Sequence, residues 1–107
     1  MSEVFRGQVY LAKHPDLDEK KFFLVVSNNK RNKILKTVLC VRITSTDKVA
    51  IPTCVQIPDH EGIAGFAVCD DVYIFMNYEL DKLHTSLTDR TMVKVEQALK
   101  IVFAIRG

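Results

Sequence analysis

The apolar residues of this chain change their spacing once along its length, and that single change limits what it can fold into. As far as residue 75 they come in short β-favouring runs: Gln8 to Ala12 (QVYLA), Phe22 to Val26 (FFLVV), Thr37 to Ile43 (TVLCVRI), Pro52 to Ile57 (PTCVQI) and Phe66 to Phe75 (FAVCDDVYIF). Polar breaks such as Ser27-Asn28-Asn29 and Pro58-Asp59-His60-Glu61-Gly62 separate them and read as turns. Beyond residue 86 the period becomes helical. Met92, Val95, Leu99 and Val102 recur at steps of three and four, Val93, Ala98 and Ile101 widen the stripe, and Ser86-Leu87-Thr88-Asp89 offers hydroxyl caps with an acid in the first turn. Short strands followed by one amphipathic helix predict a β plus α fold, a small barrel or curved antiparallel sheet with the helix lying on it. The polar, basic stretch from Asn28 to Leu35 reads as a loop between neighbouring strands, with Lys30, Arg31 and Lys33 exposed on it.

Length sets the scale of this fold. With 107 residues, 48% of them hydrophobic and only four Gly and three Pro, the chain has enough apolar surface to offset the entropy of ordering, which excludes disorder and predicts one domain over 1–107. A domain this small has little room for a deep cavity, so any chemistry belongs in a surface groove or at a dimer seam. The formal net charge of +2 hides an asymmetry. Residues 1–50 carry ten basic and five acidic side chains, residues 51–107 five basic and eight acidic. A positive half of this kind suits a polyanion such as a nucleic-acid backbone.

Cys40, Cys54 and Cys69 are odd in number and lie in apolar surroundings, which predicts reduced, packed thiols and fits a cytoplasmic location. The opening MSEVFRGQ has no apolar core of a signal peptide, and no run approaches the ~18 apolar residues of a membrane span. The chain also lacks a phosphate-cradling glycine loop, a CxxC pair, HExxH and GxSxG. Asp59-His60-Glu61 holds ligand residue types in a row, but adjacent ligands do not converge without a special loop, so no metal or other cofactor is expected. His14 and His84 are isolated and read as polar surface residues. Asp70 and Asp71 are conspicuous: successive strand side chains point to opposite faces, so one of the two must lie inward, at an edge or at a bulge.

Six segments together resemble the MazF/PemK toxins of bacterial toxin–antitoxin systems: RGQVYLA (6–12), FFLVVSN (22–28), TVLCVRITS (37–45), IPTCVQI (51–57), CDD (69–71) and SLTDRTMVKVEQALKIVFAI (86–105). The resemblance lies in their order, their spacing and the terminal helix. It implies a CcdB/PemK-like fold with an SH3-like barrel core, a homodimer, and an endoribonuclease that cleaves single-stranded RNA without a metal. It implies an antitoxin partner as well, and contact with DNA through the toxin–antitoxin complex.

Metal-free cleavage of RNA uses the neighbouring 2′-hydroxyl as nucleophile, so the site must supply a base, donors for the phosphorane oxygens and an acid for the departing 5′-oxygen. Thr44 and Ser45 match the family's Thr-Ser pair, and Asp70 matches its acid beside the Cys. Lys21-Phe22 stands where the family has Arg-Pro, which keeps a positive charge but loses the guanidinium fork. Tyr73 stands where the family has an arginine, and Val68 where some relatives carry another. The expected catalytic set is therefore Lys21, Thr44, Ser45 and Asp70. Arg6, Lys20, Lys30 and Arg31 would hold the RNA backbone, with Tyr73 stacking a base. The loop from Lys13 to Lys20 is short and lacks the family's glycine-rich stretch.

A different class of function stays open at this level: a dimer that acts by binding, as a CcdB-like gyrase inhibitor or an antitoxin-binding regulator. The tail Phe103-Ala104-Ile105-Arg106-Gly107 lacks the tryptophan that marks the CcdB terminus.

Overall fold

The computed structural model describes residues 3–107. Strands β1 (Gln8–Ala12), β2 (Lys21–Val25), β3 (Thr37–Thr44), β4 (Cys54–Ile57), β5 (Gly65–Met76) and β6 (Lys82–Ser86) form one antiparallel sheet in the order β4-β5-β3-β2-β1-β6. Two helices accompany it, α1 (Asn29–Leu35) and α2 (Asp89–Val102), with 3₁₀ turns at Asp59–Glu61 and Asn77–Glu79. This is the curved sheet with a terminal helix that the change of period predicts.

The sheet buries both faces. On one, Val9, Leu24, Val41, Ile43, Val55, Ile57, Ala67 and Cys69 pack against Met92, Val95 and Ala98 of α2. On the other, Tyr10, Phe23, Val25, Val38, Cys40 and Phe75 form a second cluster. With both faces covered, β2 and β3 need apolar residues at nearly every position, which is why they read as continuous runs. Of the expected helical stripe, Met92, Val95 and Ala98 are buried and Leu99 and Val102 partly so, but Val93 and Ile101 are exposed. Thr88 is the N-cap of α2, accepting from the Thr91 amide.

Three features depart from the sequence reading. The expected loop at Asn28–Leu35 is mostly helix α1, begun by Asn28, whose side chain accepts from the Arg31 amide, and ended by Lys36 at φ 57°. Its one buried residue is Asn32, which donates to the Ser27 carbonyl and accepts from the Ser27 hydroxyl. A helix anchored by a polar side chain leaves no apolar period to read. The second departure is His14, which is buried rather than on the surface. Its Nε2 donates to the Ile74 carbonyl at 3.0 Å, its Nδ1 accepts from the Asp16 amide at 3.1 Å, and its ring lies against Tyr73 and Phe75. The third is the exposed edge strand β6.

At Asp70 and Asp71 the structure resolves the expected conflict with a bulge. Val41 pairs with Val72 but Arg42 pairs with Val68, so Cys69, Asp70 and Asp71 stand opposite a single step of β3.

The two ends of the sheet are drawn together at the turn after β4. Thr85 of β6 donates its hydroxyl to the Glu61 carbonyl at 3.1 Å, and His84 donates from Nε2 to the Gly62 carbonyl at 2.9 Å. Gly62 sits at φ 84°, and a Cβ there would meet the Thr85 hydroxyl at 2.9 Å. The buried Glu61 carboxylate accepts from the Thr88 amide at 2.5 Å and from the Thr91 hydroxyl, so it also closes the N-terminus of α2. Burial pushes the Glu61 pKa up, but the bonds from Thr91 and Thr88 outweigh it and hold the carboxyl below the ordinary 4.5.

A native value below the unfolded one means that the contribution of Glu61 is complete above about pH 4.5 and is lost as the pH falls through the native value. Glu61→Gln is expected to lower stability at neutral pH by about 1–3 kcal/mol and to flatten the acid limb of the stability profile, as read by urea denaturation at a series of pH values.

Candidate active site

A cavity of about 480 Å³ opens at the end of the sheet beside this closure. Its cationic and polar lining comes from Lys20, Lys21, Arg42, Thr44, Ser45 and His84, and Ile63 and Ala64 form part of the wall. The register explains the assembly: Phe22 pairs with Ile43, which places the start of β2 beside the end of β3, and Leu11 pairs with both Phe22 and Lys82, which brings in β6. Gly65 holds the far wall close. It sits at φ 133°, and a Cβ there would lie 2.4 Å from the Thr44 carbonyl oxygen.

Four of the residues expected from sequence meet here: Lys20, Lys21, Thr44 and Ser45. Lys20 is tied to Asp81 at 2.6 Å, and Lys21 lies 3.4 Å from Glu19 on the exposed rim. The bond to Lys20 holds the Asp81 carboxyl below its ordinary value. Thr44 accepts the Thr46 amide at 3.2 Å, which leaves its hydroxyl hydrogen free to donate to an anion.

The other expected residues lie elsewhere. Asp70 does not line the cavity; it is exposed and accepts from the Thr53 hydroxyl. Tyr73 is half-buried, with its ring against His14 and Phe23. Burial, together with a hydrogen bond to Asp71, raises its pKa. Arg6 pairs with Glu96 at 2.6 Å on α2, and Arg31 donates to the Thr37 carbonyl at 2.7 Å and to its hydroxyl at 3.1 Å. Lys30 borders a separate groove of about 710 Å³ together with Lys33, Lys36, Phe5, Met76 and Tyr78.

Two cavity residues were not expected from sequence. Arg42 projects from the middle of an apolar strand, and its Nε donates to Asp71 at 2.8 Å. The signal was present as two anomalies, a cation inside VLCVRI and a carboxylate pair inside AVCDDV, but only the register shows that they face each other. His84 lies on β6 with its ring 4.8 Å from Phe22. Because a carbonyl only accepts, the bond to Gly62 assigns the hydrogen to Nε2 and leaves Nδ1 of the neutral ring as an acceptor. Nothing in a five-residue polar edge strand distinguishes that histidine beforehand.

The cavity therefore gathers five groups able to contact an anion through charge or hydroxyl hydrogens, Lys20, Lys21, Arg42, Thr44 and Ser45, and a histidine nitrogen able to take a proton. Among the described residues no group of three or more His, Cys, Asp and Glu side chains converges to hold a metal ion. The thiols are not nucleophile candidates, since burial pushes Cys69 up to about 12 and Cys40 still higher.

Residues 5–103 match a family model described as PemK-like, MazF-like toxin of type II toxin-antitoxin system. The chain is 35% identical over 100 residues to Endoribonuclease MazF4 of Mycobacterium tuberculosis, covering 92% of this chain and 91% of that protein. An "Endoribonuclease in complex with its cognate antitoxin from Mycobacterial species" superposes with a TM-score of 0.90 at 31% identity, over 97% of this chain and 98% of that one. A MazE-MazF structure from Deinococcus radiodurans, at 16% identity and a TM-score of 0.84 over 99% of this chain and 100% of that one, shares the fold.

Gly65→Ala is expected to force Thr44 outward and to cost about 1–3 kcal/mol. Thermal unfolding should show this as a fall in midpoint of at least about 4 °C.

Proposed function

The chain belongs to the PemK-like, MazF-like toxins of type II toxin–antitoxin systems, and on that premise we propose that it is an endoribonuclease whose site is the cavity between β2, β3 and β6. The observation that supports this site is the meeting of Lys21, at the start of β2, with the adjacent Thr44 and Ser45, more than twenty residues further along the chain, around one cavity. The endoribonuclease relatives do not favour a gyrase inhibitor.

In this reading the substrate is single-stranded RNA, and the reaction needs no metal. The 2′-oxygen attacks the adjacent phosphorus as its proton passes to a base. The bond from phosphorus to the 5′-oxygen breaks, that oxygen takes a proton, and the products are a 2′,3′-cyclic phosphate and a 5′-hydroxyl. Lys21 and the Thr44 and Ser45 hydroxyls stabilise charge on the nonbridging oxygens. Lys20 extends the positive rim along the backbone. Asp70, held by Thr53 away from the cavity lining, and His84, with Nδ1 as acceptor, are the two candidates for the base.

A cognate antitoxin is part of the same reading, supported by the relative whose solved structure contains one. So is a homodimer, for which the exposed Val93, Ile101, Phe103 and Ile105 on α2 and its tail provide apolar surface. No helix among the described residues is long and apolar enough to cross a membrane.

Incubation with a long single-stranded RNA in EDTA tests the activity. Defined cuts ending in 2′,3′-cyclic phosphate are expected, and intact RNA at high protein concentration would contradict the reading. Thr44→Ala should slow cutting by about 10²-fold or more. Separate His84→Gln and Asp70→Asn variants identify the base, which is the residue whose loss removes the rising limb of rate against pH.

A further inference from the structure

Resting on the endoribonuclease reading, we propose that Arg42 is the fork-shaped cation that grips the scissile phosphate, and that Asp71 is the residue that aims it. Lys21 and Tyr73 stand where the resemblance to the MazF/PemK toxins implies arginine, and a lysine is a flexible point charge that cannot offer two parallel donors to one phosphate. Tyr73 is packed into the second core and supplies no charge.

Arg42 supplies what those positions lack. It leaves β3 two residues before Thr44, so the strand's alternation puts the two side chains on the same face, and both line the cavity. The Asp71 bond engages Nε alone at 2.8 Å. Among the described residues the terminal Nη1 and Nη2 groups form no hydrogen bond, and they stay available to two phosphate oxygens. The pair is about one third exposed on each side, enough to restrain the guanidinium without sealing it off. The bulge is what makes this possible, because a regular ladder would not release Asp71 opposite Arg42. Asp71 is therefore a positioning residue, and Arg42 the group that touches substrate.

The test compares wild type with Arg42→Ala, Arg42→Lys and Asp71→Asn, each checked for folding by circular dichroism. Arg42→Ala should lower kcat by about 10²–10³-fold. Added guanidinium at millimolar concentration should restore at least tenfold of that loss, which a merely structural role would not allow. Arg42→Lys should recover little, and Asp71→Asn should lower kcat while leaving KM within about threefold. A second readout does not depend on cleavage: affinity for a 2′-O-methyl oligonucleotide measured against salt. Losing one phosphate contact should reduce the log–log slope for Arg42→Ala by about 0.7.

Cutting by Arg42→Ala within threefold of wild type, or a loss that guanidinium does not rescue, would overturn the proposal. If wild type cuts no RNA, the endoribonuclease reading fails separately, and the salt slope still decides whether Arg42 holds a phosphate. Should Arg42→Ala not fold, Arg42→Gln combined with Asp71→Asn keeps a neutral hydrogen bond across the bulge and undergoes the same assays.

Discussion

Strand β5 has to serve two cores, and it does so by reversing its phase. Ala67 and Cys69, both odd-numbered, face the layer under α2; beyond the bulge the even-numbered Val72 faces that layer, while Tyr73 and Phe75 turn to the opposite one. A regular strand cannot do this, because its side chains alternate strictly. The irregularity between Val68 and Val72 makes the switch and leaves two carboxylates outside the ladder. One of them meets Thr53 and the other meets Arg42. The packing requirement of a small two-layer fold thus also creates the Arg42–Asp71 ion pair at the cavity.

The second constraint acts at the mouth. An open six-stranded sheet leaves two edges, and here the turn after β4 reaches across to β6 through the Gly62 and Glu61 carbonyls. Glu61 does this as a buried carboxylate with its oxygens satisfied by the start of α2, which is the condition under which a buried charge is tolerated. Gly62 and Gly65 flank Ile63 and Ala64 with backbone angles that a side chain would strain, so the cavity wall is set by backbone approach rather than by side-chain packing. Around that wall Lys20, Lys21 and Arg42 concentrate positive charge in a partly enclosed space, where it acts more strongly on an anion than the same charges on an open surface.

What the sequence disclosed follows from these forces. Strands β1, β2, β3 and β5 were legible because each carries an apolar run long enough to exclude a loop. Helix α2 was legible from its cap and spacing. Helix α1 and strand β6 were not, since one is held by the amide of Asn32 and the other by backbone pairing with β1, and neither leaves an apolar period. Thr44, Ser45 and Lys21 could be named only through the resemblance to the MazF/PemK toxins, whose motif positions they occupy. Arg42 and His84 could not, because their significance depends on which strands are neighbours. The split of charge between the halves was visible, but its meaning changes with the fold: Arg6 and Arg31 are engaged in holding helices, and Lys30 faces a different groove.

On the proposed function, RNA binds at the cavity between β2, β3 and β6 and not at the lysine-lined groove beside α1. Amide chemical-shift mapping with a non-cleavable 2′-O-methyl single strand addresses it directly. The largest changes are expected at Lys21, Phe22, Arg42 to Ser45, Ile63 to Gly65 and His84. Changes concentrated at Phe5, Asn29 to Lys36 and Met76 to Tyr78, with the cavity residues unmoved, would contradict it.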